Sequence, residues 1–154
     1  MESLTGEFRI TLDDKGRLSL PARLRSALTN TTLFLTQGMD DCLWLYPSEE
    51  WQSMLKTIMN TTNPFSSRSR NIRRRIIGPS QEVEIDKAGR IPVAQSLREF
   101  ANLCKDCVVL GQFDYIEIWA EDRYRSYLAA NEEEFISGSE ELGNLLKSSK
   151  DIRE

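Results

Sequence analysis

One pentapeptide pattern, D-x-x-G-R, occurs twice in this chain: Asp13-Asp14-Lys15-Gly16-Arg17 and Asp86-Lys87-Ala88-Gly89-Arg90, at an offset of 73 residues. The offset continues without a gap. It pairs Leu24 with Leu97, Arg25 with Arg98, Gly38 with Gly111, Asp41 with Asp114, Leu45 with Ile118 and Trp51 with Tyr124. Matches gathered at turn and arginine positions read as a tandem duplication of one unit of roughly 50 residues. A unit with a few short strands and one helix cannot bury its own apolar faces. Two such units must pack on each other, so the duplication dictates a joint core about a pseudo-two-fold axis.

The repeated pattern has a direct physical reading. Ile10 and Leu12 before the first copy, and Leu18 and Leu20 after it, alternate with polar residues at the strand period of two. Lys15-Gly16 supplies the bend, since glycine adopts positive φ without a steric penalty. The prediction is strand, tight turn, strand. Asp13 and Arg17 face each other across the turn, so the carboxylate can accept turn N–H groups, hold the guanidinium, or both. The same applies to Asp86, Gly89 and Arg90.

Composition narrows the chemistry. The chain has no histidine, the commonest general base, and no pair of carboxylates stands out beyond the turns, so an enzyme is not expected. The three cysteines, Cys42, Cys104 and Cys107, are an odd count that suits a reducing compartment. Cys104 and Cys107 form C-x-x-C, but Cys107 aligns with the apolar strand position Phe34 and no histidine completes a zinc set. No apolar run reaches the roughly 18 residues of a membrane span, and the N-terminus lacks a basic and apolar leader; a cytoplasmic protein without cofactor, metal or small-molecule substrate is expected. Net charge is −4, unevenly spread: residues 1–80 carry 11 basic and 8 acidic side chains, residues 81–154 carry 9 and 16. Residues 131–154 alone hold 3 bases and 7 acids. A local basic face remains possible, because binding follows the field at the contact and not the total.

Along the chain, strands are expected at Glu7–Leu12, Leu18–Leu20, Leu33–Thr36 and Cys42–Tyr46, with a short helix over Ala22–Leu28. A helix opens at Pro47 with Trp51, Leu55, Ile58 and Met59 on one face. A second covers Phe65–Ile77 and carries Arg68, Arg70, Arg73, Arg74 and Arg75 with no intervening acid. That cluster reads either as a phosphate-contacting surface or as a solvated face that meets acidic neighbours, from the tail or another subunit. Strands recur at Glu82–Ile85, Ile91–Val93, Val108–Leu110 and Tyr115–Trp119, and helices at Ser96–Asn102 and Glu121–Leu128. Pro92 interrupts the strand after the second turn, and Ala94 stands where Pro21 stands in the first unit, which predicts a less regular second turn. Four segments follow: unit 1 over 5–53, a linker with the basic helix over 54–80, unit 2 over 81–128, and an acidic extension over 129–154 that is disordered or helical only when docked.

Gly6-Glu7-Phe8, the segment DDKGRLSLPARLR from Asp13, CLWLYPSEEW from Cys42 and DKAGR from Asp86 resemble the MraZ family over about Thr5 to Leu128. That resemblance implies a bacterial transcription regulator with a mainly β, α+β fold: two tandem SpoVT–AbrB swapped-hairpin units forming a pseudo-two-fold barrel with flanking helices. It implies that the motif arginines, Arg17 and Arg90, contact double-stranded DNA, with Lys15, Lys87 and Arg23 in support. Asp13, Gly16, Asp86 and Gly89 shape and orient the turns. Arg25 and Arg98 are nearby cations that repeat in register on the helix and read equally well as structural. The resemblance further implies a homo-oligomeric ring, bound to direct repeats at the promoter of its own cell-division and cell-wall gene cluster, mostly as a repressor in the nucleoid. Ring contacts are expected near Trp51 and Tyr124. The alternative is an AbrB-like interaction module, either an antitoxin whose acidic tail wraps a toxin or a ring scaffold without DNA affinity.

Overall fold

A computed structural model describes residues 3–153. The fold is mixed α+β, built on antiparallel strands. The first repeat supplies β1 (Glu7–Thr11), β2 (Arg17–Ser19), α1 (Ala22–Ala27), β3 (Thr32–Gln37), β4 (Leu43–Pro47) and α2 (Ser48–Thr61). After α3 (Ser67–Ile72) and a π-helical turn (Arg73–Ile77), the second repeat supplies β5 (Gln81–Glu84), β6 (Arg90–Pro92), α4 (Gln95–Ala101), β7 (Asp106–Gly111), β8 (Ile116–Ala120) and α5 (Glu121–Ala130). Each element of the second repeat falls where the 73-residue offset puts its counterpart. The last helix is α6 (Glu132–Arg153).

Six strands form one sheet in the order β1-β7-β8-β4-β3-β5, and β2 and β6 form a separate two-stranded ribbon. Exchanging every strand for its counterpart reads the sheet order backwards, so the pairing obeys the internal duplication. β1 lies against β7 of the other repeat, with Phe8 opposite Val109, and β5 against β3, with Val83 opposite Leu33. β4 and β8 join the halves at Leu43–Ile118. The strands that flank each D-x-x-G-R turn thus do not form their ladders with one another. Those strands meet at the turns, through the Leu12–Leu18 bridge and the Asp13 N–H to Arg17 carbonyl and Asp86 N–H to Arg90 carbonyl bonds (both 2.9 Å), and each takes its ladder from the opposite repeat. The sheet's hydrogen-bonded order ends at β1 and β5.

The reason lies in the apolar pattern. Leu12, Leu18, Leu20 and Leu24 from one repeat and Ile91, Val93, Leu97 and Val109 from the other enter a single buried cluster. Neither repeat supplies enough apolar surface to close that cluster alone. Residues 3–121 form one compact unit and residues 122–153 another.

Three local expectations change. Pro92 sits within β6 but opposite Arg17 on a ribbon only two strands wide, where a missing N–H leaves no further ladder unsatisfied. Ala94 holds φ −59° and ψ 149°, against −55° and 139° at Pro21, so the second helix is entered at the same angle without the proline ring. The expected helix over 65–77 divides into α3 and the π-helical turn, with Ser66 capping α3 by accepting from the Ser69 N–H. The acidic extension, expected to be disordered unless docked, is helical in the structure.

Candidate nucleic-acid interface

The centre of the candidate site is the β2–β6 ribbon. Its register places Leu18 opposite Ile91, Arg17 opposite Pro92 and Ser19 opposite Arg90. Leu18 and Ile91 are fully buried and form the floor. By strand alternation Arg17, Ser19, Arg90 and Pro92 lie on the opposite, outward face. Arg17 and Arg90 are diagonal neighbours on that face, a spacing of roughly 7–8 Å.

Each turn is held the same way. Asp13 Oδ1 accepts the backbone N–H groups of Lys15 (2.9 Å) and Arg17 (2.8 Å), and Oδ2 accepts Arg17 Nε–H (2.8 Å). Asp86 Oδ1 accepts the N–H groups of Ala88 (2.9 Å) and Arg90 (3.0 Å), and Oδ2 accepts Arg90 Nε–H (3.2 Å). The second turn is thus as regular as the first, contrary to the expectation drawn from Pro92 and Ala94. The Arg17 backbone N–H, followed by its side chain and the Lys15 N–H, holds the Asp13 carboxyl below the usual carboxylate range against a smaller opposing desolvation. Asp86 is lowered likewise, first by the Arg90 backbone N–H. Asp13 Oδ2 also lies 3.8 Å from Arg90 Nη1, so one carboxylate links both repeats.

What remains of each guanidinium decides what it can do. Arg17 spends only its Nε–H on Asp13, and its two Nη groups have no hydrogen-bond partner among the described residues. Its side chain is 32% exposed and that of Arg90 31%, so both reach solvent while the Nε end is fixed. An arginine so held presents its planar Nη edge with little rotamer entropy left to lose. Lys15 and Lys87 are exposed at the turn tips. Arg23 is exposed on α1 and reaches Thr5 Oγ1 at 3.4 Å, away from the paired turns' own hydrogen bonds.

Gly16 and Gly89 hold φ +75° and +79°. They also serve a second purpose that the sequence reading missed. A Cβ on Gly16 would fall 2.0 Å from Arg98 Nη1, and one on Gly89 would fall 2.7 Å from the Arg25 guanidinium. Arg25 Nε–H donates to the Leu20 carbonyl at 2.9 Å and Arg98 Nη1–H to the Val93 carbonyl. Leu20 N–H in turn donates to the Gly89 carbonyl and Val93 N–H to the Gly16 carbonyl, both at 2.9 Å. The arginine of each repeat therefore lies over the turn glycine of the other. These two arginines are braces, and their recurrence at the glycine offset was the available signal.

Two other expected groups lie elsewhere. Trp51 is 3% exposed, stacked on Phe34 at 5.7 Å and tilted against Tyr46 at 5.9 Å. Its side chain is core, so any ring contact near it would be made by other residues of α2. Cys107 is buried in β7, and desolvation pushes its thiol up to about 11, while Cys104 is exposed.

The fold and site define a class: a tandem-duplicated α+β protein whose repeats cross-pair and present two carboxylate-anchored arginines side by side. A family profile described as "MraZ protein, putative antitoxin-like" matches residues 3–74 and 76–144. The chain is 42% identical over 142 residues to the transcriptional regulator MraZ of Treponema denticola, covering 92% of this chain and 99% of that protein. It is 46% identical over 143 residues to the MraZ of Treponema pallidum (93% and 96%), and 39% identical over 138 residues to that of Saccharopolyspora erythraea (89% and 94%). The chain belongs to the MraZ family.

Proposed function

We propose that this chain is a sequence-specific DNA-binding transcription regulator without enzymatic activity, and that the outward face of the β2–β6 ribbon reads duplex DNA. The observation that carries this is the Nη edge of Arg17: its Nε is anchored, its terminal donors are unused, and a second arginine stands beside it. That edge neutralises phosphate or binds guanine O6 and N7 in a bidentate manner. Lys15, Lys87 and Arg23 add phosphate contacts, while Asp13, Asp86, Gly16 and Gly89 set the geometry. The names carried by the relatives, transcriptional regulators all, support the same reading.

In this proposal residues 5–53 and 81–128 are SpoVT–AbrB-like units that exchange strands as a swapped-hairpin barrel. Residues 54–80 link them and 129–154 extend beyond them. One ribbon makes few contacts, so useful affinity needs several copies acting together on direct repeats, as in a ring. The regulated site is the promoter of its own cell-division and cell-wall cluster, with repression as the outcome, in the cytoplasm at the nucleoid. A gel shift on DNA upstream of its own gene tests the assignment. Wild type is expected to shift the fragment and Arg17→Ala to lose the shift while keeping its circular dichroism spectrum. Equal shifts by both proteins would reject it. The second half of the family description favours one rival, an antitoxin-like module; a small protein that co-purifies stoichiometrically and displaces DNA would support that rival.

A further inference from the structure

Two exposed faces carry charge with no ion-pair partner among the described residues, and they complement each other. The first is on α3 and the π-helical turn. Ile72 is 40% exposed there, and Arg68 and Arg75 lie four residues before it and three after, on the same side of the helix. None of Arg68, Arg70, Arg73, Arg74 or Arg75 lies within ion-pair distance of a carboxylate among the described residues. Their contacts within the chain are to neutral groups: Arg70 on the Pro64 carbonyl, Arg73 on Thr62, Arg74 on Asn71, Arg75 over the Phe100 ring. The second face is on α6, where exposed Phe135, Leu142 and Leu146 fall in one stripe at spacings of seven and four. Glu134 and Glu141 border that stripe, also seven residues apart.

We propose that α6 of one copy docks on the α3–π-turn face of a second copy, seating its apolar stripe on Ile72 between two rims of opposite charge. The match is in charge and in spacing. Glu134 and Glu141 are seven positions apart, about 10.5 Å along an α-helix, and Arg68 and Arg75 are also seven apart, across the junction of α3 with the π-helical turn. The exposed Ile72 beside the arginines distinguishes this face from a purely phosphate-binding one, which has no use for it. The contact is heterologous: each copy gives a helix and receives one, so it closes into a ring or runs on as a filament. This deepens the oligomer of the proposed function and is independent of the Arg17 contact.

Charge reversal in the full-length protein tests it, with molar mass by light scattering in the absence of DNA as the readout. Wild type is expected at a multiple of 17.7 kDa. Arg68→Glu/Arg75→Glu and Glu134→Lys/Glu141→Lys are each expected to fall to the single-chain mass, and an equimolar mixture of the two is expected to recover assembly, because each reversed rim finds its reversed partner. Both variants must keep the wild-type circular dichroism spectrum. Retention of the wild-type mass by either variant overturns the proposal. So does loss of mass without recovery in the mixture. If the arginine variant keeps its mass but loses salt-sensitive DNA binding, the face is a phosphate contact instead. A wild-type monomer that shifts DNA normally would remove the oligomer and leave the ribbon assignment standing.

Discussion

Gly16 shows how much one residue carries here. Its φ of +75° is reached by other residues at roughly 1–2 kcal/mol, and its missing Cβ leaves the space in which Arg98 crosses to the Val93 carbonyl. Gly16→Ala is expected to lower the thermal midpoint by roughly 2–8 °C for a chain of this length, measured by calorimetry. Arg98→Ala with Gly16→Ala should cost less than the two single losses summed, since the clash vanishes with the side chain. Asp13 and Asp86 add a pH dependence with a definite sign. Both carboxyls are lowered in the fold by backbone N–H groups and by their arginines. Their contribution is present above the ordinary aspartate value of about 3.9 and is lost as pH falls through the lower folded values. Asp13→Asn should flatten the acid limb of a stability–pH curve; an unchanged limb would mean the turn bonds contribute nothing to that transition. The aspartate-to-arginine turn was legible from the pentapeptide alone, because all its partners lie within four residues. The brace from Arg98 was not, because it joins positions 82 residues apart.

Among elements, the three-residue strands β2 and β6 matter most, because they hold both candidate contact arginines on a floor of Leu18 and Ile91. The short apolar alternation identified these strands correctly, as it did the hairpins β3–β4 and β7–β8. Alternation says which face is buried and is silent about which strand lies alongside, so the neighbours of β1 and β2 could not be read from it. The duplication was the better guide, since it required the repeats to share a core. Proline at 92 misled for a similar reason: its missing donor matters only if a third strand lies beyond. The burial of Leu18 yields a prediction at this scale. Leu18→Ala should destabilise the fold by about 2–5 kcal/mol in urea titration, and should weaken DNA binding through Arg17 and Arg90 together. Adding Ile91→Ala should cost less than additivity, because the first cavity already loosens the second residue.

For the whole molecule, the charge distribution bears most directly on the proposed DNA contact. A net charge of −4 repels DNA at long range, so the proposed association would depend on the few cations at the contact. The basic helix, the acidic α6 and the ribbon were all visible in sequence as local features. What sequence left open was which of the many arginines are spent on the fold, since that follows from partners brought together by tertiary contacts. Arg25 and Arg98 are spent on carbonyls and Arg73 on Thr62, whereas Arg17 keeps its Nη edge. Salt titration separates these groups. The logarithm of the observed binding constant falls with the logarithm of salt by roughly 0.9 for each phosphate neutralised. Arg90→Ala should therefore reduce that slope by about one for each bound copy if Arg90 meets a phosphate. If it meets guanine instead, the mutation should lower affinity for the specific site and leave nonspecific binding nearly intact. Arg25→Ala should lower the thermal midpoint while its slope, measured well below that midpoint, stays at the wild-type value. A slope reduced equally in both variants would show that Arg25 is a phosphate contact too and not only a brace.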